Sequence, residues 1–240
     1  MSGGLYALSR IQDFKLYDKW WSSLKLEHYL GLYEKEATRF FRKNIKKGMV
    51  VVDVGANVGY YTRIFSKLVG PTGTVYAFEP DTEAFAFVQR NTRHLQNVKL
   101  FPYAVSDTDG TVRFFHIPNA TSSHTMVSLP DAVESDVPSV TLDSFIKEPI
   151  DVVKMDIEGA EALVFKGMQK HLEHVSFVVL EYTKGEGDGL LNNLKSTGAI
   201  SGLTPRGNET SLERGFFYPT GRGGNPYANV VYRPRRKVQL

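Results

Sequence analysis

Cysteine is absent from all 240 residues, which excludes disulfides, thiol nucleophiles and cysteine-based zinc sites. The absence fits a reducing interior, so a cytoplasmic location is expected. Long hydrophobic runs are missing too. None approaches the roughly 18 consecutive apolar residues of a membrane span, and the N-terminus lacks a signal-peptide pattern. A soluble protein with no transmembrane segment is expected. Charge of one sign is also scarce: 29 Lys and Arg against 26 Asp and Glu leave a net +3, too mild to imply a nucleic-acid partner. Basic residues do gather at the end, in Arg233, Arg235, Arg236 and Lys237. There a solvated terminus is the expected reading over a phosphate-contacting tail. What is present is a chain 42% hydrophobic, enough for one α/β domain that needs no disulfide or metal staple.

The most informative stretch is VVVDVGANVGYYT, from Val50 to Thr62. Its apolar run reads as a buried parallel strand, and the segment beyond Gly59 as a helix. Gly55 and Gly59 let the backbone turn sharply and approach a ligand closely. The free N–H groups of the helix start would point at the same place. A dinucleotide-binding turn wants G-x-G-x-x-G to admit a pyrophosphate. Here the pattern is D-V-G-A-N-V-G, with Asp53 before the turn and Ala56 and Asn57 inside it. An acid at that point suits a ligand whose end carries an ammonium as well as a carboxylate.

Downstream, Thr74 to Phe78 reads as a second strand ending in Glu79-Pro80. An acid at the end of the second strand is where a nucleoside ribose is held, because a carboxylate can accept from both hydroxyls. The alternative is a helix-start role for the acids there, centred on Asp81 and Thr82. A third strand is expected over Val98 to Val105, then a hairpin with Asp109-Gly110 as its turn into Thr111 to His116. Residues 117–138 read as a long loop and a candidate substrate-choosing segment. The second rich stretch is IDVVKMDIEGAE, Ile150 to Glu161. It predicts a buried strand ending in Lys154, Asp156 and Glu158, then a helix to Lys170. Ionisable groups at the carboxyl end of a central strand sit at the ligand crevice of an open α/β sheet. Glu161 is expected only to favour the helix start. Val175 to Leu180 reads as a fifth strand ending in Glu181 at the same edge, and Ala228 to Tyr232 as a last strand. The Trp20-Trp21 pair belongs to a helical segment expected to pack on the domain rather than on a membrane.

DVGANVGYYT, AFEPD, AVSDTDG and above all VKMDIEGAE, in this order, resemble the FkbM family of S-adenosylmethionine-dependent methyltransferases, across Tyr33 to Tyr182. The resemblance implies a Rossmann-like class I methyltransferase fold: α/β, a doubly wound, mostly parallel sheet of about seven strands with an antiparallel last strand. Residues 48–240 would form that single domain, behind an N-terminal helical extension over 1–47. It implies S-adenosyl-L-methionine as cofactor, with its methionine end at Asp53, Gly55, Ala56, Asn57 and Gly59, its ribose on Glu79 and its adenine near Ala104 and Asp107. The expected reaction is O-methylation of a hydroxyl on a sugar or small natural product. Asp156 would orient or deprotonate that hydroxyl, with Lys154, Glu158 and Glu181 around it, and no metal is assigned. Two alternatives stay open: an RNA methyltransferase, resting on the basic tail, and a nicotinamide oxidoreductase on the same sheet.

Overall fold

The computed structural model describes residues 33–116, 124–125, 132–157, 159–183, 188–212, 215 and 227–235. The Trp20-Trp21 pair, Glu158, most of 117–131, Arg236 and Lys237 lie outside these residues. In chain order the first half comprises α1 (Lys35–Asn44), β1 (Val50–Val54), α2 (Tyr60–Val69), β2 (Thr74–Phe78), α3 (Thr82–Thr92), β3 (Val98–Phe101), β4 (Ala104–Val105) and β5 (Gly110–His116). It continues with β6 (His124–Thr125), β7 (Val133–Val140), α4 (Leu142–Phe145), β8 (Val152–Met155), α5 (Glu161–Lys166) and β9 (Phe177–Thr183). Last come α6 (Asp188–Thr197), β10 (Gly198–Leu203), β11 (Glu209–Thr210) and β12 (Tyr227–Pro234).

The main sheet has eight strands in the order β11-β10-β12-β9-β8-β1-β2-β3. β3, β2, β1, β8 and β9 pair in parallel. β12 enters antiparallel between β9 and β10. This is the class I methyltransferase arrangement, a mostly parallel sheet whose last strand runs against the others. β11 adds a short antiparallel strand at one edge.

The strands are apolar throughout because each face is covered. Val51, Val75, Val152, Val179 and Val231 turn to one side and pack with Phe40 and Phe41 of α1 and Phe65 of α2. Their chain neighbours Val52, Tyr76, Val153, Val178, Val230 and Tyr232 turn to the other, against Val164 and Phe165 of α5 and Leu191 and Leu194 of α6. The period of two along each strand thus feeds two cores from one sequence run.

Three expectations need correction. The third strand is interrupted: β3 stops at Phe101, Pro102 intervenes, and β4 leaves for a second sheet of order β4-β7-β5-β6. Nor does Asp109-Gly110 close a hairpin with that strand. β5 pairs antiparallel with β7 over Gly110–His116 and Val133–Val140, while Asp109 accepts from the Thr141 N–H at 2.6 Å and the Ser144 hydroxyl at 2.7 Å. The last part of the expected loop is therefore strand. Its sequence, VESDVPSV, is polar on the exposed side and buries only Val137 and Ser139, so its strand character shows only through its partner.

Candidate active site

The carboxyl ends of β1, β2, β8 and β9 meet at one edge of the sheet, where the order reverses between β1 and β8. That is the ligand crevice of such sheets. After Val54 the chain turns through Gly55, Ala56 and Asn57. Gly55 and Ala56 donate their N–H groups to the Phe78 carbonyl at 3.1 and 3.0 Å, tying the turn to the end of β2. Gly55 adopts φ 78° and Gly59 φ 85°, left-handed backbone that glycine adopts without a Cβ clash. At Gly55 the need is also one of space: a Cβ would lie 2.1 Å from the Asp156 carbonyl oxygen. Asn57 shares this backbone region, at φ 49°, which asparagine tolerates better than most residues.

Glu79, at the end of β2, is 5% exposed. Its Oε2 accepts the Asn57 N–H at 2.8 Å and its Oε1 the Asp81 N–H at 3.0 Å. One N–H per oxygen leaves each a further lone pair, enough for a pair of hydroxyls. Burial pushes this carboxyl up from 4.5 to about 7, against the two backbone N–H groups. The helix-start role falls to Asp81 instead, whose side chain accepts from the Ala84 N–H at 2.8 Å. Of the two roles the sequence left open, the helix-start role is thus filled by Asp81, not Glu79.

Asp53 is fully buried. Its Oδ2 accepts the Thr62 hydroxyl at 2.6 Å. Its Oδ1 has no hydrogen bond and lies 3.7 Å from the Lys154 ammonium. Burial raises its carboxyl, with Lys154 and Thr62 opposing. The Asn57 side-chain oxygen is likewise buried with no hydrogen bond. Two buried acceptors beside one turn suit a ligand that brings N–H donors.

Lys154, on β8, is 5% exposed. Its ammonium donates to the Asp156 carboxylate at 3.2 Å and the Gly55 carbonyl at 3.3 Å. It also stands 5.2 Å from the centre of the Tyr61 ring. Burial by itself would lower it, but Asp156, Asp53 and Glu34 outweigh burial and hold it above its ordinary value. Asp156, one residue past β8, keeps a partly exposed carboxylate. Glu181 is half-buried on β9 opposite Asn229 of β12. Asp107 follows β4, accepting from the Ser106 hydroxyl at 3.3 Å with Lys166 at 4.0 Å, and Ala104 is buried beside it. Glu161 is buried at the start of α5, where its carboxylate accepts the Gly159 N–H at 3.3 Å. The structure thus brings Asp53, Lys154 and Asp156 into one cluster and sets Glu79 across the turn from them.

Glu34 immediately precedes α1. It is 5% exposed, and its carboxylate accepts the Tyr61 hydroxyl at 2.8 Å. Burial, then Asp156, raise its carboxyl from 4.5 to about 7. Thr62 and Tyr61 escaped notice in the sequence because their roles depend on contacts across the fold. Arg233, read as part of a basic tail, lies in β12 and makes a two-pronged bond to Glu209 at 2.6 and 3.0 Å. Among the described residues no group of His, Cys, Asp and Glu is disposed to hold a metal ion, and no helix is long and apolar enough to cross a membrane.

The sequence profile of the methyltransferase FkbM domain matches residues 53–200. Among curated proteins, the hexuronic acid methyltransferase AglP of Haloferax volcanii is 27% identical over 157 residues, covering 63% of this chain and 63% of AglP. The 2-O-methyltransferase NoeI of Sinorhizobium fredii is 28% identical over 162 residues, covering 59% of this chain and 66% of NoeI. The chain thus spans just under two thirds of either relative. Among solved structures, a candidate rRNA-methylase from Clostridium thermocellum superposes with a TM-score of 0.52 at 14% identity, over 84% of this chain and 96% of that one. At that identity the likeness is one of fold.

Proposed function

Because the chain belongs to the methyltransferase FkbM family, whose cofactor is S-adenosylmethionine, we propose that it methylates a hydroxyl group on a sugar or small natural product. The observation that carries the reading is the Lys154–Asp156 pair at 3.2 Å, held at the crevice beside the glycine turn. The residues fit the cofactor. Asn57 and Asp53 offer buried acceptors at the turn for an amino-acid end, Glu79 keeps a lone pair on each oxygen for the ribose hydroxyls, and Asp107 stands at the end of β4 for the adenine. A location in the cytoplasm and action without nucleic acid belong to the same proposal. The sugar preference is supported by the relatives' names, hexuronic acid methyltransferase and 2-O-methyltransferase.

The bound cofactor would supply a methyl group already activated by its sulfonium. The protein's part is therefore mostly alignment, with a base helping as the hydroxyl loses its proton. Asp156 is exposed enough to meet an acceptor and sits where it can take that proton. Lys154, paired with it, fixes the orientation of the carboxylate. Glu181 on the neighbouring strand faces the same edge and would contact the acceptor. The lone observation behind an RNA acceptor, the basic tail, is weakened by the Arg233–Glu209 bond.

The test is calorimetric titration with S-adenosylmethionine, S-adenosylhomocysteine and NADH, followed by a methyl-transfer screen of hexoses and hexuronic acids. Binding of the first two with silence from NADH is expected. Asp156→Ala should lower turnover by roughly 100-fold or more while cofactor affinity stays within about threefold. Equal loss of both would remove Asp156 from the role given to it.

A further inference from the structure

The buried charge beside the glycine turn is unbalanced. The Lys154 ammonium faces Asp156 at 3.2 Å and Asp53 at 3.7 Å, and Glu34 acts on it as well. Glu34 is linked to the cluster through Tyr61, whose hydroxyl donates to Glu34 and whose ring lies under the Lys154 ammonium. A single ammonium cannot neutralise all of these carboxylates in a buried site. The conformation of Glu34 is itself costly. It sits at φ 40°, ψ 60° before α1 and makes no side-chain capping bond there. Such left-handed backbone is sparsely populated by residues with a side chain, and it persists where surrounding structure enforces it, often at functional sites. Here it turns the carboxyl inward, away from the helix it would otherwise cap.

The cluster also reaches the turn, because Lys154 donates to the Gly55 carbonyl. A ligand whose amino-acid end lies on that turn brings its sulfur near these charges. S-Adenosylmethionine and S-adenosylhomocysteine share an ammonium, a carboxylate and a ribose. They differ by one methyl group and the positive charge on sulfur.

We propose that Glu34 is a proton site tied to that charge, ionised while the sulfonium stands at the turn and protonated once only neutral sulfur is left there. The inference rests on the reading that the turn holds S-adenosylmethionine. The transfer balances on these residues. One proton is released: the methyl–sulfur bond would break with its electron pair going to sulfur as the carbon–oxygen bond forms, Asp156 would take the hydroxyl proton, and that same proton would come to rest on Glu34, leaving Asp156 a carboxylate again. The protein would thereby hold the methyl donor more tightly than the spent product.

The groups facing Glu34 support this. They are Glu36 from α1, Tyr60 and Tyr61 from α2, Lys154 and Asp156 from the end of β8, and Tyr227 from β12. Adjacent Tyr33 completes the surroundings. Burial pushes all four tyrosines above their ordinary value, so they stay neutral. The charged neighbours are thus Lys154 and the acids. With its own carboxyl raised to about 7, Glu34 is poised for a nearby positive charge to decide its state. Glu79 is raised similarly, but it would meet the ribose of both ligands alike, and its proton cancels when the two are compared.

The experiment is calorimetric titration of the full chain with each ligand near neutral pH, in phosphate and in Tris, whose ionisation enthalpies differ. S-Adenosylmethionine should release more protons than S-adenosylhomocysteine. The affinity ratio of the two should rise with pH, by at most about tenfold per pH unit for one whole proton. Glu34→Gln should erase the difference. Tyr61→Phe keeps the ring but removes a donor that holds the Glu34 carboxyl down, so it should move the pH of greatest proton release upward. Equal proton release by the two ligands, or a difference that both variants leave untouched, would overturn the proposal. If neither ligand binds, the functional reading itself fails and takes this inference with it.

Discussion

Gly55 stands where the glycine turn meets the end of β8, and it has no room for a side chain. An alanine there would meet the Asp156 carbonyl at 2.1 Å while keeping a backbone at φ 78°. Strain and clash act together, and both can be relieved only by moving the strand end that carries Asp156. Gly55→Ala should therefore lower S-adenosylmethionine affinity by more than about tenfold and cost about 1–3 kcal/mol of stability, measured by titration and urea unfolding. An unchanged affinity would mean that the turn is not where the cofactor rests. At this scale, β9 runs on past Glu181 to Thr183, but Glu79 and Asp156 were legible as strand-end acids, because an acid after an apolar strand has few structural reasons to be there. Glu34 was not. Its inward turn depends on a left-handed residue and on Tyr61, which is remote in the chain.

Helix α1 shows the same division one level up. Its apolar pairs announce a helix, but not that it is a wall of the core. Phe40 and Phe41 are almost fully buried, and Phe41 packs edge-on against Phe65 at 4.8 Å and Tyr61 at 5.4 Å. Phe41→Ala should cost about 3–5 kcal/mol, read as a lower midpoint of chemical unfolding. Because Tyr61 is the neighbour that fixes Glu34, the same variant should also weaken the proton linkage, whereas a passive packing helix would lose stability alone. Arg39 and Lys43 tie the outer face of α1 to carbonyls of Pro205 and Arg206, and Arg233 spans Glu209, the Ser176 carbonyl and the Phe177 ring. The late strands are thus fastened to α1 and to the start of β9. The second sheet was the least legible element. β7 is mostly exposed and polar, so neither periodicity nor apolar content marks it; its strand form comes from pairing with β5.

For the molecule as a whole, the buried acids should set the dependence of stability on pH. Glu34 and Glu79 are both raised from 4.5 to about 7 by burial, so between these values the folded state binds more protons than the unfolded chain. Their contribution is therefore full below about 4.5 and is lost as pH rises through about 7. Chemical unfolding should show stability falling across that window in the unliganded protein. Glu79→Gln should flatten the fall, and a rise in its place would contradict the burial that causes it. S-Adenosylmethionine should restore stability at the upper end, where the ionised carboxylates gain partners.

By itself the sequence determined the class of fold, the glycine turn and the acids at the strand ends. These follow from short-range rules: apolar period, the Cβ that glycine lacks, and the cost of leaving a carboxylate in a crevice. The tertiary structure alone decided which strands pair in the second sheet, how Asp53, Thr62 and Lys154 share one buried network, and that Glu34 faces inward. These depend on which groups lose water together, and residues far apart in the chain settle that only when the chain has closed around them.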